Sequence, residues 1–182
     1  AGGDAAAGKT KSATCAGCHG VDGNSANPEW PKLAGQHAGY LEKQLKEFKS
    51  GDRQNAMMAP MAAPLSEQDM ADVAAYFASQ TASLGAADPA LAARGEEIFR
   101  GGNLETGLPA CTGCHSPTGQ GNPPAGYPHL AGQHATYTAK QLTDFREGNR
   151  TNDGDSMIMR TVASRLSNKD IEAVASYIQG LR

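Results

Sequence analysis

The pentapeptide Cys15-Ala16-Gly17-Cys18-His19 returns 96 residues later as Cys111-Thr112-Gly113-Cys114-His115, and it does not return alone. Leu33-Ala34-Gly35-Gln36-His37 comes back as Leu130-Ala131-Gly132-Gln133-His134 at an offset of 97. Lys43-Gln44-Leu45 and Phe48 recur as Lys140-Gln141-Leu142 and Phe145 at the same offset, and Leu65-Ser66 as Leu166-Ser167 at 101. A period near 100 residues is domain-sized, so this 182-residue chain reads as two copies of one fold and not as a solenoid. The expected division is a first domain over residues 1–80, a linker over 81–88 and a second domain over 89–182. The Gly/Ala/Ser-containing stretch from Ser79 to Ala87 forms the seam. Asp88-Pro89 then restarts the pattern with a capping residue followed by proline at the first helical position.

Within each copy the apolar periodicity is helical. Leu41, Leu45 and Phe48 share one face, and so do Met70, Val73, Ala74 and Phe77 after Ser66. Ile171, Val174, Ala175 and Ile178 repeat the second pattern after Ser167, and Leu91, Gly95, Ile98 and Phe99 mark an opening helix of the second copy. Ser66 with Asp69, and Ser167 with Asp170, have the spacing of a capping box with Asp in place of Glu. No strand-like alternation is found, so the fold class is all-α: two tandem small helical bundles with long loops. Aromatic residues make up only 5% of the chain, which leaves each small domain short of large apolar side chains to bury. Such domains usually need a staple.

The repeated pentapeptide supplies one. Cys-x-x-Cys-His is the attachment motif for c-type haem, because two thiols three residues apart reach the two vinyl groups on one porphyrin edge while the adjacent His coordinates iron. Cys15, Cys18, Cys111 and Cys114 are therefore the expected covalent attachment points of two haem c groups, with His19 and His115 as axial ligands. All four cysteines of the chain are accounted for. A redox disulfide is the competing reading, but the βαβ context of thioredoxin-like motifs is missing. A zinc site would need a fourth ligand in each half.

The second axial ligand is chosen by the duplication. Met58 lies seven residues before Leu65, and Met159 lies seven before Leu166. In that register Met57 matches Ile158, Met61 matches Val162, Met70 matches Ile171, and Met157 matches Ala56. Only Met58 and Met159 place methionine in both copies, against the alternative that methionines here fill the core. His37 and His134 are equivalent and offer bis-His ligation as a rival, although a polar or propionate-facing role is expected of them. His129 matches Lys32 and is expected at the surface. Pro31 and Pro128 are also equivalent, and a carbonyl near that proline can accept the Nδ1–H of the ligand His; a simple turn proline is the alternative.

The formal net charge is -3, which argues against nucleic acid as a partner, since phosphate binding needs a concentrated basic surface. The charge is unevenly spread, with 7 Lys+Arg against 10 Asp+Glu up to Asp88 and 9 against 9 beyond it. No apolar run is long enough to cross a bilayer. The start at Ala1-Gly2-Gly3-Asp4, without Met, reads as a mature terminus after signal-peptide removal and sets the expectation of a periplasmic protein.

With these residues in view, the sequence resembles the cytochrome c4 family, dihaem bacterial proteins built from two class I cytochrome domains. The likeness spans the chain, from Ala1-Gly2 through residues 18–25 (Cys-His-Gly-Val-Asp-Gly-Asn-Ser) to residues 176–181, and is strong over Gln133 to Arg160. The resemblance implies axial methionines at Met58 and Met159, a pseudo-twofold relation between the domains, and haem propionates near their interface. It also implies a periplasmic location, association with the membrane surface, and delivery of electrons to terminal oxidases. A His/Met pair fills both axial positions of iron, so the expected role is single-electron transfer without catalysis. The partners would be redox proteins: a quinol-oxidising complex or other donor, and a terminal oxidase or other acceptor, met by a monomer. A dihaem peroxidase or a haem subunit of a dehydrogenase complex is the alternative.

Overall fold

The computed structural model describes residues 2–182. Ten α-helices are found among them: α1 (Ala5–Lys11), α2 (Ala16–His19), α3 (Ala38–Ser50), α4 (Met58–Ala62), α5 (Glu67–Ala78), α6 (Pro89–Gly101), α7 (Thr112–His115), α8 (Ala135–Glu147), α9 (Ile158–Ala163) and α10 (Asn168–Gly180). Among the described residues β pairing is limited to isolated bridge positions, Asn103 with Leu108 and, in a later loop, Asn122 and Tyr127. The chain divides into two compact units, one running to Ser83 and including residues 123–128, the other made of residues 84–122 and 129–182.

In the first unit α5 is the hub, packed on both α1 and α3. Its helix begins as the sequence requires. The Ser66 hydroxyl accepts from the Asp69 backbone N–H at 3.0 Å, and the Asp69 carboxylate accepts from the Ser66 N–H at 3.0 Å, closing the capping box. The apolar face of α5 buries Val73, Ala74, Tyr76 and Phe77 against Leu41 of α3, with Cys15, Leu33 and Leu45 packed at the margin. Against α1 the approach is closer. A Cβ at Gly8 would stand 1.9 Å from the Asp72 carbonyl oxygen, so only glycine permits this crossing.

The second unit repeats the plan with α10 as hub, packed on α6 and α8. Ser167 and Asp170 form the same reciprocal cap. Asp88 caps α6, accepting from the Ala90 N–H at 2.9 Å, with Pro89 at the first helical position. Gly95 takes the role of Gly8, since a Cβ there would meet the Ala173 carbonyl oxygen at 2.3 Å and Tyr177 Cβ at 2.6 Å. The core is larger: Ile98, Phe99, Leu108, Leu166, Ile171, Val174, Ile178 and Leu181 cluster, with Cys111, Leu130, Leu142 and Val162 against them. Part of that gain comes from a segment between α6 and Cys111 that the first copy lacks, folded into a short hairpin by reciprocal hydrogen bonds between Asn103 and Leu108.

Periodicity predicts α3, α5, α6 and α10 over the stretches where they occur. It does not reveal α1, whose Ala-Ala-Ala-Gly-Lys-Thr-Lys sequence has no apolar stripe and is defined by the close approach of Gly8.

Candidate haem-binding sites

Each Cys-x-x-Cys-His motif forms a single helical turn. In the first copy the Cys15 carbonyl accepts from the backbone N–H groups of Cys18 and His19, and in the second the Cys111 carbonyl accepts from those of Cys114 and His115. One turn of helix places both sulfurs and the imidazole on neighbouring positions. Cys15 and Cys111 lean on their domain cores. Burial pushes the Cys15 thiol up and the Cys111 thiol up to about 11, so neither sulfur sits where a reactive thiolate is favoured. None of the four cysteines is in a disulfide.

His19 and His115 are each only 7% exposed. In the first copy His19 Nδ1 lies 3.0 Å from the Pro31 carbonyl oxygen, which accepts its proton and leaves the Nε2 lone pair for a metal. Burial, opposed in part by that hydrogen bond, lowers the His19 pKa and keeps the imidazole in its neutral, ligating form. A turn proline alone would not explain this contact. Among the described residues no group of three or more His, Cys, Asp and Glu is placed to hold a metal ion.

The methionines separate by environment. Met70 is 2% exposed and belongs to the interior of α5, while Met57, Met61 and Met157 are exposed. Met58 and Met159 are half-buried. Met58 opens α4, where Asn55 Oδ1 accepts from the backbone N–H groups of Met57 and Met58, both at 2.9 Å. Met159 comes directly after the first residue of α9, whose cap, Met157, has a positive φ of 52°. That left-handed conformation costs a non-glycine residue about 1 kcal/mol or more. The next turn is secured by Asp153, which accepts from the Arg160 backbone N–H at 2.9 Å and from Arg160 Nε at 2.7 Å. His37 and His134 stand as the caps of α3 and α8, each backbone N–H donating to the preceding glutamine side chain. His129 is half-buried, not at the surface as expected from its match to Lys32. Its Lys32 counterpart is itself buried, with Nζ donating to the Ser83 carbonyl at 2.8 Å.

Two arginines are not marked by any sequence motif. Arg53 and Arg150 are each only 8% exposed and recur at the same offset of 97 as Gln44 and Phe48, the signal by which the sequence could have revealed them.

The cysteine pairs, the buried neutral imidazole and the half-buried thioethers suit covalent haem, and similarity to known proteins agrees. The family described as cytochrome c matches residues 5–81 and again 92–182. Cytochrome c4 of Stutzerimonas stutzeri is 63% identical over 190 residues, covering 100% of this chain and 90% of the relative. The chain belongs to the cytochrome c4 family. The crystal structure of reduced recombinant cytochrome c4 from Pseudomonas stutzeri superimposes with a TM-score of 0.97 at 63% identity, covering 99% of this chain and 100% of that one. As a cytochrome c4 the chain is a dihaem electron carrier. A more distant relative, named thiosulfate dehydrogenase electron acceptor, from Stutzerimonas stutzeri strain A1501, is 40% identical over 168 residues, covering 90% of this chain and 76% of its own length. Among the described residues no helix is long and apolar enough to cross a membrane.

Proposed function

We propose that each domain holds one haem c through its own five-residue motif. Cys15 and Cys18 attach the first, with His19 and Met58 as axial ligands. Cys111 and Cys114 attach the second, with His115 and Met159. The group, when bound, supplies an iron centre that accepts and releases one electron at a time. The protein's part is to hold both axial donors fixed, so that neither ligand exchanges when the charge changes. His19 does this through its bond to Pro31, and burial of both imidazoles keeps water away.

The observation that carries this reading is that the same donor set recurs twice, with a buried histidine in each motif and a half-buried methionine in one shared register. With His19 and Met58, and His115 and Met159, as ligands, a bound haem would have no position open to substrate, which favours electron transfer over catalysis. The carrier works in the periplasm between membrane-bound or soluble respiratory proteins, passing electrons toward a terminal oxidase. A sulfur-compound dehydrogenase is a donor class supported by the name of the 40% identical relative.

Mass spectrometry of the natively matured protein, combined with peptide mapping, tests the attachment. A haem adduct on both the Cys15–Cys18 and the Cys111–Cys114 peptides is expected, and a bare peptide at either site overturns it. For the ligands, the oxidised protein is expected to show the far-red methionine-to-iron band at a strength of two haems; a high-spin spectrum favours the peroxidase alternative.

A further inference from the structure

Both copies contain a buried arginine folded back on the helix before it, in the same way. In the first, the Arg53 backbone N–H donates to the Glu47 carbonyl at 3.1 Å, near the end of α3. Its guanidinium lies over the Phe48 ring, 4.6 Å from the centroid, and Nη1 donates to Gln44 Oε1 at 2.8 Å. In the second, the Arg150 N–H donates to the Asp144 carbonyl at 3.1 Å, the guanidinium lies 4.5 Å from the Phe145 centroid, and Nη1 donates to Gln141 Oε1 at 3.0 Å. Only a planar, delocalised cation can stack on a ring with its face while its edge donates to an amide. Burying a charge is costly, so finding one here twice calls for a purpose beyond packing.

Each arginine leads directly into the methionine loop, and here the copies differ. Met58 comes five positions after Arg53, whereas Met159 comes nine after Arg150. The side chains that accept from the backbone of the following helix differ too, with Asn55 in one loop and Asp153 in the other. The loop contents vary while the anchorage at the near end does not.

We propose that Arg53 and Arg150 are positioning residues that clamp the start of each methionine loop to α3 or α8 and so hold the thioether on its iron. This rests on the reading of Met58 and Met159 as ligands. The clamp acts where the loop leaves the helix, so its loss frees the loop to swing while the bundle stays folded.

The test uses the dihaem protein with Arg150→Gln, Arg150→Lys and, as reference, Met159→Ala. Imidazole is added to the oxidised protein, and its displacement of methionine is timed by loss of the far-red band, with far-UV circular dichroism recorded in parallel. Arg150→Gln is expected to keep its helicity and both haems, while one of the two kinetic phases accelerates by about tenfold, the scale of one hydrogen bond from a charged group. Arg150→Lys should accelerate the same phase, because a compact ammonium cannot stack and donate together. The phase of the first haem stays unchanged and serves as the internal control. If Met159→Ala removes half the band yet neither arginine variant changes the rate, the clamp is refuted and the ligand assignment survives. If Met159→Ala leaves the band whole, the ligand assignment falls and takes the clamp with it. Should Arg150→Gln fail to fold, the rate in Arg150→Lys decides.

Discussion

Lys11 and Asp72 join α1 to α5 by an ion pair of 2.6 Å, at two positions that apolar side chains occupy in the second domain. Aligning the two domains on the glycine crossings, Gly8 with Gly95, puts Lys11 at the place of Ile98; the repeat register puts Asp72 at the place of Ala173. The Asp72 side chain is 4% exposed and accepts from three donors: the Asp4 backbone N–H at 2.8 Å, Lys11, and Gln68 Nε2 at 2.8 Å. These hydrogen bonds, led by that from Asp4, hold its pKa down to about 2.

A carboxylate depressed in the folded state stabilises the fold at pH values above its unfolded pKa, near 4, and that contribution fades as pH falls toward 2. The first domain should therefore lose stability through this window, helped by Asp69, also held down to about 2, chiefly by Lys11. Asp72→Asn should destabilise the first domain at pH 6 and differ progressively less from the parent as pH approaches 2. Denaturant titrations at several pH values check this, and a gap that stays constant with pH would contradict it.

Gly95→Ala should damage the second domain. The added Cβ meets a backbone carbonyl that cannot move aside, at 2.3 Å, and the overpacking outweighs the gain in helix propensity. The net loss is expected at about 2–3 kcal/mol, read from thermal or denaturant unfolding, with the first domain unaltered.

Ser66→Ala and Ser167→Ala remove equivalent halves of two reciprocal caps. Each should cost its own domain about 1 kcal/mol. Equal losses are expected from the equal geometry, and hydrogen exchange at the first turns of α5 and α10 would locate them.

The two haems should titrate at different potentials. Up to Asp88 the chain carries three more acidic than basic residues, while the remainder is balanced, so the fields around the two irons differ. Spectroelectrochemistry should resolve two one-electron steps. Met58→Ala and Met159→Ala should each lower the potential of one haem most; a single wave for two identical centres would speak against the prediction.

Much of the fold was legible in the residues, and so were the two cysteine motifs that point to haem. The duplication and the apolar stripes of α3, α5, α6 and α10 are local patterns, and Ser-x-x-Asp marked both hub-helix starts. What escaped was set by tertiary approach. α1 is defined by what its glycine faces across the interface, and Arg53 is buried because Phe48 and Gln44 lie one and two turns back on a helix that the chain folds onto. Lys32 and His129 misled for the same reason: charge in a sequence suggests the surface, and only the fold reveals that Lys32 reaches the Ser83 carbonyl.

Tandem copies of one fold risk exchanging helices as they assemble, each first helix pairing with the wrong hub. The ion pair between Lys11 and Asp72 discourages that error. With α1 set against α10, the Lys11 ammonium would face Ala173 and keep only Asp170, the counterpart of Asp69, as a carboxylate partner; with α6 set against α5, Asp72 would be sealed beneath Ile98 and Phe99 without Lys11. One mismatched pairing loses an ion-pair contact and the other strands a buried carboxylate, so the polar crossing works as a key that lets two similarly built halves sort themselves within a single polypeptide.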